Sequence, residues 1–421
     1  LISQGLLMPA MRNLYVLLFS LYWAQGLPVG FMTHALPVIL RAQGVSLTHI
    51  GGFGLLMLPW SIKVFWAPLV DRYGSTKGHY RSWIIPAQLL SVIVLIILSF
   101  IPIEALNQPV YLLAFFVALL FMNGIGATQD IATDGLAVNI LKNDQQHWGN
   151  TFQVMGSRLG FIVGGGAILW LLDVLQWQTT FLILAALVFL NTLPILLFKE
   201  PQHENLNAIA KTQQNKFQLK TYFQYFLQQP TLRWWLAILV TFKIADGLSG
   251  PLLKPLMIDM GLSFSQIGIY VTMLGAFAAL IGAGLAGWCL KIFSRARTLM
   301  AFSIIKIITL MAYAWLAMQY EAKQSVTPMV IYLINAAEDM ISAMLLVVML
   351  TLVMQYSRKH LAGTDFTFQV AIMATVSGGL YSISGILGDR LGYQDYLYGI
   401  VFTAILCLIP INGWIKYRKI D

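Results

Sequence analysis

Asn123-Gly124-Ile125-Gly126-Ala127-Thr128-Gln129-Asp130-Ile131-Ala132-Thr133-Asp134 lies inside an apolar run, Tyr111 to Leu141, that holds no other charged residue. About 20 apolar residues cross a bilayer as a helix, so this run is long enough to span. Carboxylates inside a span are costly and mark ion or substrate pathways. Asp130 and Asp134 are four residues apart and share a helix face. Asn123 falls on the same stripe, and Gly126 opens that face to a neighbouring helix or a ligand.

The rest of the chain supports that reading. Of its 421 residues 58% are hydrophobic and 10% charged, against about 25% charged in a soluble chain. An all-α integral membrane protein follows, since repeated long apolar runs describe helices rather than a barrel. About twelve spans are expected: 14–40, 47–70, 82–102, 110–140, 151–172, 178–198, 232–258, 264–290, 298–319, 327–356, 364–387 and 394–415. Three parts result: a six-helix half over 1–198, a linker over 199–230 and a second half over 231–421. The linker is polar at first and aromatic-rich over Phe217 to Leu227, a composition suited to the membrane surface.

Basic residues fix the orientation. With the N-terminus inside, 18 Lys and Arg fall in cytoplasmic segments and only Arg41, Lys323 and Arg390 outside. The positive-inside rule then puts both termini in the cytoplasm. The net charge of +9 is spread over these loops, so no nucleic-acid surface is expected. Leu1 to Met11 has no basic region ahead of an apolar core, so no cleavable signal is expected.

The two halves repeat. Ala24-Gln25-Gly26-Leu27 matches Ala245-Asp246-Gly247-Leu248, and Thr151-Phe152-Gln153-Val154 matches Thr367-Phe368-Gln369-Val370. Gln129-Asp130 pairs with Glu338-Asp339. The matches run span one to seven, four to ten and five to eleven. That is the parallel two-half plan of major facilitator transporters, which bind substrate near midplane.

Beyond this plan the chain resembles a narrower group. Leu58-Pro59-Trp60-Ser61-Ile62-Lys63-Val64-Phe65-Trp66-Ala67-Pro68-Leu69-Val70-Asp71-Arg72, Gln129 to Asp134, and Ser157-Arg158-Leu159-Gly160 resemble the AmpG-like permeases. These form the peptide–acetyl-CoA branch of the major facilitator superfamily. The compact length is closest to the RhtX/FptX-type siderophore importers. The resemblance implies an inner-membrane secondary importer, proton-coupled and monomeric, carrying a siderophore. Muropeptide import and drug or metabolite export are the alternatives within transport. A membrane sensor is the alternative outside it, disfavoured because no output domain is seen. The resemblance also implies a cytoplasmic gating loop at Asp71, Arg72 and Arg81.

Candidate roles follow from placement. Asp130, Asp134, Glu338 and Asp339 are the expected proton carriers. Arg158, a cation inside span five, is expected to pair with Asp130 or Asp134. Tyr22, Gln25, Asn123, Gln129, Asp246, Lys254, Asn335 and Gln369 are expected substrate contacts. In span seven Lys243, Asp246, Gly250 and Lys254 share a face; Lys243 and Asp246 pair locally, and Lys254 is left for an anionic group. Lys63 and Lys306 read as lone cations, and His34 as a structural histidine. Cys289 and Cys407 form no disulfide or metal framework. With no phosphate loop, zinc motif or nucleophile elbow, neither enzyme activity nor a cofactor is expected.

Overall fold

In a bilayer, backbone groups have no water to bond, so apolar runs of this length satisfy themselves as helices. The computed structural model is built of helices and describes residues 2–45, 49, 52–201, 224–263 and 266–418. Among the described residues ten helices are long and apolar enough to cross a membrane. They are Asn13–Thr33, Arg81–Ser99, Pro109–Ile140, Gln146–Leu172, Trp177–Leu197, Pro230–Asp259, Ile269–Ile292, Arg295–Glu321, Pro328–Gln355 and Tyr393–Tyr417. Large apolar side chains stand on their outer faces, among them Ile97, Phe121, Ile308 and Phe402, as lipid contact requires. The chain is a multi-pass membrane protein.

Two of the twelve expected spans differ from the rest. The second is broken into short pieces, Phe53–Met57, Leu58–Ile62, Lys63–Phe65 and Ala67–Arg72. Pro59 and Pro68 remove backbone donors here. The eleventh is a continuous helix, Ala362–Leu391, but Asp365, Gln369 and a Ser/Gly-rich middle keep its hydropathy low. Within the first span a wide turn at Phe31–Ala35 interrupts the helix, and the fifth has one at Ile162–Ala167. Such π-type turns recur at functional positions.

Contacts group the chain into two units. The first is Leu1–Asn215 with Met354–Thr367; the second is Lys216–Val353 with Phe368–Asp421. The first unit therefore takes in the stretch that joins the tenth and eleventh spans. Residues 202–223, most of the expected linker and part of its aromatic segment, lie outside the described residues.

Glycines set the helix spacing inside each unit. A Cβ on Gly160 would lie 2.5 Å from the Gly26 backbone, and one on Gly164 only 2.0 Å from the Leu27 carbonyl oxygen. Spans one and five thus touch backbone to backbone. The second unit repeats the device: a Cβ on Gly247 would meet the Ser377 carbonyl at 2.7 Å, as one on Gly26 meets the Ser157 carbonyl at 2.7 Å. Backbone cannot yield as a flexible side chain does. Gly160→Leu is therefore expected to lower unfolding stability by at least about 3 kcal/mol. Gly124→Ala, whose new Cβ meets nothing within 4 Å, is expected to cause no loss. Thermal unfolding of the purified variants checks the contrast. Equal stability of the two would show that spans one and five can move apart freely.

Candidate functional site

The acid stripe of span four is buried inside the first unit, and its two carboxylates are treated differently. Asp130 forms an ion pair with Lys63, which the broken second span delivers. Lys63 also lies over the Trp60 ring, 5.2 Å from its centroid. So Lys63 is not the lone cation expected from sequence. Its partner stands 67 residues away and becomes adjacent only when spans two and four pack.

Asp134 is 2% exposed and is held by neutral donors. Tyr22 in span one donates its hydroxyl to Asp134 Oδ1 at 2.6 Å, and Gln153 Nε2 in span five reaches the same oxygen at 3.4 Å. Among the described residues Asp134 forms no ion pair. Arg158, expected to pair with one of these acids, sits half-buried on the helix Gln146–Phe161.

Three of the expected substrate contacts share a small cavity in the first unit. Gln25, Asn123 and Gln129 line it with Trp60, Ser91 and Met32. At about 20 Å³ it has room for about one water. Trp60 Nε1 donates to Asn123 Oδ1 at 3.0 Å, and Gln25 Nε2 donates to Thr133 Oγ1 at 3.2 Å. Gln129 Nε2 is buried and has no hydrogen-bond partner among the described residues. A buried amide left in that state costs about 1–3 kcal/mol, so a water or a ligand oxygen there would stabilise it.

The second unit gathers its charges around Lys306. The Lys306 ammonium pairs with Glu338, contacts the Ser342 hydroxyl, and lies 2.9 Å from Asp246 Oδ1. Lys243 takes Asp246 Oδ2 at 2.7 Å, as the local pairing predicts. Lys306 is thus the second supposedly lone cation that the structure supplies with partners. Asn335 accepts from the Tyr313 hydroxyl at 3.0 Å and donates to Asp339 Oδ2 and to the Val271 carbonyl, each at 3.0 Å. Gly275 makes room for Asp339, since a Cβ there would lie 2.0 Å from Asp339 Oδ2.

Two expected substrate contacts sit elsewhere. Lys254 is exposed, and among the described residues it forms no salt bridge. Gln369 is fully buried, its carbonyl accepting from Trp235 Nε1 at 2.7 Å and its amide donating to the Val353 carbonyl at 3.1 Å. Both ends of that side chain are spent holding helices together. The side chain of His34 lies outside the described residues.

The expected gating loop contains a clasp. Asp71 is buried and accepts four hydrogen bonds. They come from the Tyr80 hydroxyl (2.7 Å), the Gly363 and Thr364 amides (3.0 and 2.7 Å) and the Thr364 hydroxyl (2.6 Å). Burial nonetheless pushes the Asp71 carboxyl above its ordinary range, with the hydrogen bonds opposing. Next to the clasp Arg358 grips Asp365 with two guanidinium bonds of 2.8 Å. Arg72 is exposed and stacks on Tyr73, 5.5 Å from the ring centroid. Arg81 points away from the clasp. It donates to the Ile195 and Leu196 carbonyls at 3.1 and 2.7 Å, capping the end of span six. Glu200 answers by accepting from the Tyr80 and Arg81 amides at the start of span three. Arg81 lies in the expected gating loop, but its contacts are those of a helix cap.

No group of three or more His, Cys, Asp or Glu able to hold a metal occurs among the described residues.

A family model described as Acetyl-coenzyme A transporter 1 matches residues 14–174. A Rickettsia conorii protein that carries the name AmpG 4 is 25% identical over 93% of this chain and 93% of its own length. The anhydromuropeptide permease of Escherichia coli K12 is 26% identical over 96% of this chain and 81% of its own. Among solved structures, the major facilitator transporter FucP in its outward conformation superposes with a TM-score of 0.65. It is 16% identical and covers 96% of this chain and 99% of its own. A bacterial homologue of the iron transporter ferroportin gives a TM-score of 0.64 at 13% identity, covering 96% and 98%.

Proposed function

We propose that this chain, which has the major facilitator fold, is a proton-coupled importer of anhydromuropeptides. It works in the bacterial inner membrane as a monomer with both termini cytoplasmic, by rocking of the halves 1–198 and 231–421. The observation that carries the coupling is the unequal pair on span four. Lys63 neutralises Asp130, whereas Asp134 is buried among neutral donors. An acid placed so is neutral with a proton and a costly charge without one. Asp134 therefore carries the proton, and Asp130 holds the scaffold. Glu338 and Asp339 are the acids of the second half, and Arg158 adds positive charge on span five.

Gln25, Asn123 and Gln129 offer amides to the polar parts of the substrate. The Asp71 clasp closes the cytoplasmic end, and its release lets substrate leave inward. The likeness to an anhydromuropeptide permease over nearly the whole chain supports the substrate. The siderophore expectation rests on compact length and motif resemblance, and the relatives named above carry no siderophore name. Uptake of radiolabelled anhydromuropeptide into cells lacking the gene, with and without a plasmid copy, tests the choice. The copy is expected to raise uptake about tenfold and to leave ferric-siderophore uptake unchanged. The reverse pattern would replace this reading with the siderophore one.

A further inference from the structure

Lys306 is the hub of the second unit. Its three ammonium hydrogens serve Glu338 and Ser342 on span ten and Asp246 on span seven. Asp246 keeps a second cation, Lys243. The two lysines and two acids sum to zero charge. A cleft of about 50 Å³ opens onto Asp246, Lys306 and Ser342. It has room for about three water-sized groups. Thr241 and Ser303 add hydroxyls, and Ile238, Leu345 and Ile411 are among its apolar walls.

Two helix interruptions border the same cleft. Span seven breaks between Pro230–Thr241 and Ile244–Asp259, and span twelve breaks at Cys407, between Tyr393–Leu406 and Leu408–Tyr417. Thr241, Phe242, Cys407 and Leu408 from these breaks all line it. Interrupted helices free backbone groups beside the binding sites of transporters.

We propose that this cleft is an anion subsite, where a carboxylate of the transported molecule replaces Asp246 on Lys306 while Glu338 takes up one proton. The proposal rests on the import reading above and names the substrate group its second half holds. Asp246 can be displaced because Lys243 still neutralises it. The incoming carboxylate adds one negative charge to a balanced cluster, and an uncompensated charge inside a membrane protein is costly. A proton on Glu338 restores the balance, and Ser342, which already donates to Glu338 Oε1 at 2.8 Å, stays in place. The only bond made is the O–H of Glu338, with its proton drawn from water and returned to water: one carboxylate and one proton enter the cluster and leave it together. The groups facing Glu338 are Lys306 and Tyr313 from span nine; Asp246 of span seven shares the Lys306 ammonium, and Lys243 is held on Asp246. Asp339 adjoins it on its own helix, and the Cys407 thiol lines the cleft from span twelve.

The test uses the purified full chain and two probes, radiolabelled anhydromuramyl tripeptide and the same molecule with its peptide carboxylates amidated. Binding is measured between pH 6 and 8. Uptake of one proton makes the acid probe bind about tenfold more weakly per unit rise in pH, by linkage; the amide probe shows no such slope. Glu338→Gln is expected to flatten the slope and to bind the acid probe at least about tenfold tighter than wild type at pH 8. Lys306→Met is expected to weaken the acid probe at least about tenfold more than it weakens the amide probe. Should Lys306→Met fail to fold, Glu338→Gln decides alone. A wild-type slope in Glu338→Gln, or equal binding of the two probes to wild type, overturns the subsite and leaves the import reading standing. Failure of folded wild-type protein to bind either probe brings both down.

Discussion

Asp134→Asn is expected to cut uptake driven by a pH gradient by roughly a hundredfold, ~2.7 kcal/mol in the barrier, while exchange of substrate at equal pH persists. The amide imitates the protonated acid in size and charge, and its oxygen still accepts from the Tyr22 hydroxyl, which now lies 2.6 Å from Oδ1. What the variant loses is the second protonation state. Asp130→Asn should fail differently. It strips Lys63 of its partner and leaves an ammonium buried, at a cost of about 3–5 kcal/mol. Reduced expression is expected there, with partial recovery in Asp130→Asn combined with Lys63→Met. Uptake and expression assays on the three variants separate a proton carrier from a scaffold pair. Wild-type gradient-driven uptake by Asp134→Asn would remove Asp134 from the mechanism.

Asp71→Ala is expected to release the stretch that joins spans ten and eleven. Four donors converge on that carboxylate, two of them the backbone amides of Gly363 and Thr364. Leaving the two buried amides unmet costs about 1–3 kcal/mol each. A total of ~3 kcal/mol would raise the open population about 150-fold. A cysteine at Ala362, which is fully buried, reports it through the rate of maleimide labelling. An unchanged rate in Asp71→Ala would show that the clasp holds nothing.

The sign of the pH effect follows from the raised Asp71 pKa. The clasped form binds the proton more tightly than the released form. Its proton-linked stability is full below the ordinary carboxylate range and is lost as pH rises through the raised value. Labelling in the wild type should therefore slow on acidification.

Much of this arrangement was legible in the sequence because hydropathy and local spacing carry it. Ten of the expected spans needed only long apolar runs, and the Lys243–Asp246 pair needed only a three-residue step on one helix. Gly160 and Gly164 are small residues four apart on span five, the spacing that lets two helices touch backbone to backbone. What sequence could not give were partners set by packing. Lys63 and Lys306 looked alone because Asp130 and Glu338 are 67 and 32 residues away. Arg81 and Gln369 looked like functional polar groups, yet they cap or brace helices through backbone carbonyls that no residue type advertises. The broken second span hid behind its hydrophobicity, although Pro59 and Pro68 were the visible warning.

The central claim, import coupled to protons, is most directly tested with the purified chain in liposomes and a pH gradient, acid outside. Radiolabelled anhydromuropeptide is predicted to accumulate inside above its external concentration, and a protonophore is predicted to abolish the accumulation. Uptake that only equilibrates, at the same rate with the gradient, without it and with the protonophore, would contradict the claim.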